Sequence, residues 1–263
     1  MGSWYPYAMP YDVVDLRDFY AQHLGVVARR FVGRGIRARW ADTRGQRVLG
    51  VGYPTPYLGL FREEAERCLA FMPAVQGVVK WPSANPTLAA LVDEYDLPLA
   101  DSSVDRVLLV HALEMSHDAP ALLREVWRVL SAGGRLMAVV PNRRGLWARI
   151  DTTPFGHGRP YSRSQITQLL RETWFTPISW AEALYVPPVT RSWFLRSAVA
   201  WERAGATISA PFAGVHIVEA TKQVYRAVPA REKRRLVPGI VPVLEPALTP
   251  TKRVQTLADS RGR

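Results

Sequence analysis

Two stretches of this chain gather side chains that could do chemistry. The first runs Pro141-Asn142-Arg143-Arg144-Gly145-Leu146-Trp147-Ala148-Arg149 and then Thr153-Pro154-Phe155-Gly156-His157-Gly158-Arg159-Pro160-Tyr161. Arg143, Arg144, Arg149, His157 and Arg159 could grip an anion, while Trp147, Phe155 and Tyr161 could stack on a ring. The same residues also suit a structured loop with Gly-Pro turns and solvated arginines. The second stretch is the turn Gly50-Val51-Gly52-Tyr53-Pro54-Thr55-Pro56-Tyr57. A strand entering a glycine-containing turn ahead of a helix aims backbone N–H groups at a nucleotide-like ligand. His111 and His157 are the side chains suited to accept a proton. His111 and His117 lack the spacing of a metal pair, no His-Glu-x-x-His occurs and Cys68 is the only cysteine, so no metal site is expected. No Gly-x-Ser-x-Gly elbow supports a serine nucleophile. His216, on an alternating run, reads as a packing or surface residue.

The elements that must position these groups follow from hydrophobic spacing. Residues Val13 to Trp40 read as helix, with Leu16, Phe19, Tyr20, Leu24, Val27 and Phe31 on one side. Arg47 to Gly52 reads as a strand, Tyr57 to Arg67 as helix, and Cys68 to Met72 as a strand stopped by Pro73. Arg106 to Val110 is a further strand, Ala119 to Leu130 a helix closed by Gly133-Gly134, and Arg135 to Val140 a strand. Ser162 to Trp174 reads as helix with Ser162 as N-cap, and Val215 to Thr221 as a late strand. This alternation predicts an α/β fold, a Rossmann-like and mainly parallel sheet with helices on both faces. The expected organisation is an N-terminal helical segment over 1–46, the Rossmann-like domain over 47–228, and a basic, proline-rich and mobile extension over 229–263.

The order Asp96-Leu97-Pro98 … Asp101-Ser102-Ser103-Val104-Asp105, then Leu122-Leu123-Arg124-Glu125-Val126-Trp127-Arg128-Val129-Leu130 … Gly133-Gly134-Arg135-Leu136, resembles the class I S-adenosylmethionine-dependent methyltransferases of the type 11 domain family. The resemblance spans roughly Leu16 to Ala220 and is densest from Asp93 to Asn142. It implies the class I methyltransferase fold, with an antiparallel last strand, S-adenosylmethionine as cofactor, and a small-molecule acceptor. It places cofactor contacts at Gly50, Gly52, Tyr53, Thr55, Met72, Asp93 and His111, with Asp93 meeting the adenine amino group. Gly50 stands where the family has an acid, Pro54 and Pro56 where it has loop glycines, and Met72 where it has the ribose-binding acid. Proline fixes φ and removes a donor, and a thioether cannot accept two hydroxyl hydrogen bonds as a carboxylate does.

Composition bounds the remaining choices. The chain has 263 residues, 48% hydrophobic and 22% charged, which excludes disordered, collagen-like and disulfide-framework classes. With one cysteine, no secretory pattern and no apolar run of bilayer length, a cytoplasmic protein is expected. The formal charge of +11 concentrates in Arg29, Arg30, Arg34, Arg37 and Arg39 and in Arg231, Lys233, Arg234 and Arg235. Such faces are usually solvated, yet they also suit nucleic acid or a membrane surface. Two functions therefore stand: a methyltransferase for a small, anionic or aromatic acceptor, or a non-catalytic binding or regulatory module on the same sheet. The oligomeric state is not readable.

Overall fold

The structure, a computed structural model, describes residues 11–84, 86–189, 202 and 212–224. The basic cluster Arg231 to Arg235 and the expected 229–263 extension lie outside them. Helices α1 (Val13–Ala21) and α2 (His23–Arg37) lead into β1 (Arg47–Gly52), α3 (Thr55–Leu58), β2 (Arg67–Pro73), β3 (Ala89–Val92) and β4 (Val104–Val110). Then come α4 (Ala119–Val129), β5 (Leu130–Pro141), α5 (Arg163–Glu172), β6 (Phe175–Ala183) and β7 (Val215–Lys222). The seven strands lie in the order β3-β2-β1-β4-β5-β7-β6. The first five are parallel, and β7 runs antiparallel between β5 and β6. Among the described residues no helix is long and apolar enough to cross a membrane.

Strand alternation sorts side chains into two layers. Val48, Leu108, Val110 and Met137 join the buried cluster containing the apolar faces of α1, α2 and α3. Leu49, Val51, Val107, Leu109 and Ala138 join the cluster of α4 and α5. All six apolar residues picked from the N-terminal helical spacing, including Tyr20, are buried.

Departures from the expected elements have local causes. The N-terminal helix breaks at Gln22, which is extended; a Cβ on Gly25 would fall 2.0 Å from the Phe19 carbonyl oxygen, so this glycine permits the tight corner. The helix expected over Tyr57 to Arg67 is only α3, because Phe61 alone is buried between Gly59 and Arg67 and no second apolar turn exists to pack. Gly133-Gly134 do not close α4. That helix ends at Val129, Leu130 is already extended, and the glycines sit in an irregularity where Val104 pairs with Leu130 but Arg106 with Arg135. Strands β3 and β6 carry too little alternation to be seen in the sequence.

The arginine-rich N-terminal face is narrower than its composition suggests. Arg37 pairs with Glu64, and Arg39 donates to the carbonyls of Gly35 and Trp180, tying α2 to β6. Arg29, Arg30 and Arg34 stay exposed.

At the opposite edge from the turn, Arg47 clamps β1 to β4. Its Nε and Nη2 donate to Asp105 Oδ2 and Oδ1 at 3.0 and 2.9 Å, and Ser131 Oγ adds a third bond at 3.0 Å. These bonds, the Arg47 guanidinium first, draw the Asp105 carboxyl from 3.8 to about 2. A depressed carboxyl stabilises the fold above its unfolded pKa, and that contribution disappears as pH falls through the folded value. Urea titrations from pH 5 to pH 2 should show Asp105→Asn losing stability less steeply below pH 4 than the natural chain; parallel slopes would refute the clamp.

Candidate active site at the carboxyl edge of the sheet

The strand order reverses between β1 and β4, so their carboxyl ends frame the crevice where open α/β sheets bind ligands. Gly52 ends β1 at φ +92°, and a Cβ there would lie 2.2 Å from the Val110 carbonyl oxygen. The next amide, of Tyr53, donates to that same carbonyl at 2.7 Å. The turn is therefore stapled to the end of β4. His111, directly after β4, has φ +49°, a left-handed conformation uncommon outside glycine and found at functional sites.

Four elements meet around His111. Its Nε2 lies 2.9 Å from the Tyr20 hydroxyl of α1, which lies 3.2 Å from the Tyr57 hydroxyl of α3. Its Nδ1 lies 3.2 Å from Glu114 Oε1 in the loop after β4. Burial, followed by the neighbouring Tyr57, holds the Tyr20 phenol well above its usual range, and burial raises Tyr57 as well. Both remain hydroxyls; with the neutral imidazole carrying its proton on Nδ1 toward Glu114, Tyr20 donates to His111 Nε2 and Tyr57 donates to Tyr20. The Tyr53 ring stacks on Tyr20 at 5.9 Å, and the Phe155 ring stands 4.9 Å from His111. Gln76 Nε2 donates to the His111 carbonyl at 2.6 Å. Gln76 Oε1 and Glu114 Oε2 are buried with no hydrogen-bond partner.

The residues singled out in the sequence fare differently. Gly52, Tyr53 and His111 come together here. Gly50 sits beneath the turn: a Cβ would fall 2.4 Å from the Pro54 Cβ and 2.8 Å from Leu58, so Pro54 fills the room a side chain would need. Thr55 opens α3 and is half-buried; the amides of Tyr53 and Tyr57 are spent on the carbonyls of Val110 and Pro54. Met72 is fully buried, and its Sδ accepts the Val79 N–H at 3.4 Å. Asp93 is exposed at the end of β3, where its carboxylate accepts the Tyr95 N–H at 2.8 Å. It lines a cleft of about 290 Å³ with Val75, Val92, Glu94, Tyr95 and His117.

His157 lies elsewhere, its Nε2–H donating to the Asp151 carbonyl at 2.7 Å and its ring 4.5 Å from Tyr11. Of the basic groups beyond β5, Arg143 and Arg159 share one cavity, Arg144 lines another beside His216, and Arg149 is exposed. Trp147 and Phe155 are buried core residues rather than open stacking platforms. Sequence reading placed Tyr57 in the turn but missed Tyr20, Gln76 and Glu114 as site residues. Only Glu114 left a signal, three residues beyond His111 in one loop.

Residues 32–138 match the family described as the methyltransferase domain. The chain is similar to that domain over about two fifths of its length. A probable S-adenosylmethionine-dependent methyltransferase of Mycobacterium tuberculosis is 34% identical to it over 94 residues, 35% of this chain and 34% of the relative. The match thus spans about a third of that relative's length. Solved structures share the fold at low identity. The cyclase SpnF superposes with a TM-score of 0.53 at 21% identity, over 75% of this chain and 82% of that one. The Burkholderia thailandensis 1,6-didemethyltoxoflavin-N1-methyltransferase, solved with its acceptor and S-adenosylhomocysteine, gives 0.51 at 17%, over 80% and 83%.

Whether this site suits an S-adenosyl donor is decided by its own atoms. The cleft by Asp93 has apolar walls and a carboxylate rim, which match a flat ring carrying an amino group. At the ribose position Met72 supplies no acceptor, but Gln76 Oε1 and Glu114 Oε2 are buried acceptors lacking donors. Hydroxyls and an ammonium are donors, so the chemistry is complementary. Neither Gln76 nor Glu114 lines the Asp93 cleft, so the residues present fit the group at its adenine end, through Asp93 and the apolar walls beside it.

The hydroxyl chain is directly testable. Tyr20→Phe removes the donor to a buried histidine nitrogen and should cost about 1–3 kcal/mol in urea unfolding. Tyr57→Phe, at the end of the chain, should cost less. Equal costs, or none at position 20, would show that the chain does not form.

Proposed function

We propose that this protein is an S-adenosylmethionine-dependent methyltransferase acting on a small-molecule acceptor. The observation that carries the reading is a cleft at the carboxyl ends of β2 and β3, apolar-walled and rimmed by Asp93, in a sheet whose strand order reverses at β1/β4. The donor supplies a methyl group on a sulfonium centre, which needs positioned reactants more than acid–base chemistry. Asp93 and the walls of its cleft hold the adenine. Gln76 and Glu114 fix the backbone and ring of His111 beside it, and Gly52 lets β1 and β4 close on each other at the same edge. Gly50 and Met72 serve as packing beneath it.

His111 is the group we assign to a proton leaving the acceptor. Glu114 and the Tyr20 hydroxyl stand within hydrogen-bond distance of its two ring nitrogens and hold the ring at the end of β4. His157 we assign to the loop it braces rather than to the reaction. In this reading 47–228 is the catalytic domain, and 1–46 supplies Tyr20 to its site. A cytoplasmic setting accords with the single cysteine, buried at Cys68.

Calorimetric titration with S-adenosylmethionine and S-adenosylhomocysteine tests the reading. We expect micromolar binding (about −8 kcal/mol). Asp93→Ala, at an exposed position, and Glu114→Gln should each weaken it about tenfold. Absence of binding by the natural chain at millimolar ligand would overturn the assignment.

A further inference from the structure

Beside the donor cleft lies a larger cavity of about 580 Å³, and His117 lines both. Its cationic edge is Arg143 and Arg159, and its apolar floor includes Pro120, Pro160 and Leu169. The backbone is arranged to deliver the two arginines together. Arg143 N–H donates to the Tyr161 carbonyl and Tyr161 N–H to the Pro141 carbonyl, both at 3.0 Å, zipping the two segments. Arg159 N–H donates to the Glu114 carbonyl at 2.8 Å. Gly158, at φ +75°, makes that approach possible, because a Cβ there would lie 2.2 Å from the same carbonyl oxygen.

Neither arginine takes part in an ion pair among the described residues. The one carboxylate on the cavity wall, Asp118, is engaged as N-cap of α4, accepting the Ala121 N–H at 2.9 Å. Tyr161, whose hydroxyl donates to the Leu113 carbonyl at 3.1 Å, completes the wall as a neutral ring; burial pushes its phenol up to about 12. Two unpaired guanidinium groups over an apolar floor match an anion with a hydrophobic body.

We propose that this cavity is the acceptor subsite and takes a small carboxylate or phosphate monoester carrying an apolar or aromatic body, gripped by Arg143 and Arg159. The assignment of the anion as methyl acceptor rests on the methyltransferase reading; the recognition of the anion does not. Phenyl phosphate and benzoate are the probes, with benzyl alcohol as the neutral control and S-adenosylhomocysteine titrated separately. We expect one or both anions to bind, with benzyl alcohol at least tenfold weaker. Arg143→Gln and Arg159→Gln should each weaken the anion about tenfold while leaving S-adenosylhomocysteine affinity within twofold. The preferred probe distinguishes phosphate from carboxylate.

Binding of the anion without any binding of S-adenosylhomocysteine would keep the anion site and overturn its role in methyl transfer. No anion binding at 10 mM, a scale of about −3 kcal/mol, with or without S-adenosylhomocysteine, would overturn the proposal. So would affinity indifferent to both substitutions. Because both arginines are exposed, lost binding in these variants is not a folding defect, which circular dichroism melting checks.

Discussion

The close approach of β1 to β4 at Gly52 governs the architecture of the site. A backbone carbonyl, Val110, stands where any side chain at 52 would go, and it accepts the Tyr53 amide. From that contact the Tyr53 ring is directed against Tyr20, α3 starts at Thr55, and Tyr57 reaches the other side of the Tyr20 hydroxyl. The same strand end turns through left-handed His111, whose ring then spans from α1 to Glu114. Helix α1 is thus hydrogen-bonded to the carboxyl edge of the sheet, not merely packed near it. Such a network is favourable only while every buried member keeps its partner.

This arrangement also locates the chain's departures from the methyltransferase pattern it resembles. The positions of the lost acids and glycines are not empty: Pro54 and Leu58 lie over Gly50, and Met72 is engaged by Val79. Nearby, Gln76 after β2 and Glu114 after β4 each keep one buried oxygen without a hydrogen-bond partner. The fold shared with SpnF, a cyclase, shows that the sheet alone does not determine the reaction. Position and chemistry of the side chains at its edge must do so.

The sheet was legible where periodicity was strong. Leu108 and Val110 against Val107 and Leu109 announce β4, and Leu122, Leu123 and Val126 announce α4. Ser162 was readable as an N-cap and forms a full capping box with Gln165. Short β3, with Ala89 and Ala90, offers neither branched residues nor alternation. In the site, Gly52 and His111 were visible because glycine and histidine at a strand end have few bland explanations. Tyr20 was not, because a tyrosine on an apolar helix face looks like core, and it is core for all but its oxygen. Gln76 and Glu114 act through tertiary contacts that local spacing does not encode.

The interlock of Gly50 with Pro54 has a consequence for descent. A carboxylate introduced at 50 meets the proline ring, and removing the proline still leaves Leu58 Cδ1 2.8 Å from where its Cβ would stand. Residues in contact couple, so an acid at 50 is reached only by changes at 50, 54 and 58 together, each of which taken alone crosses a less stable chain.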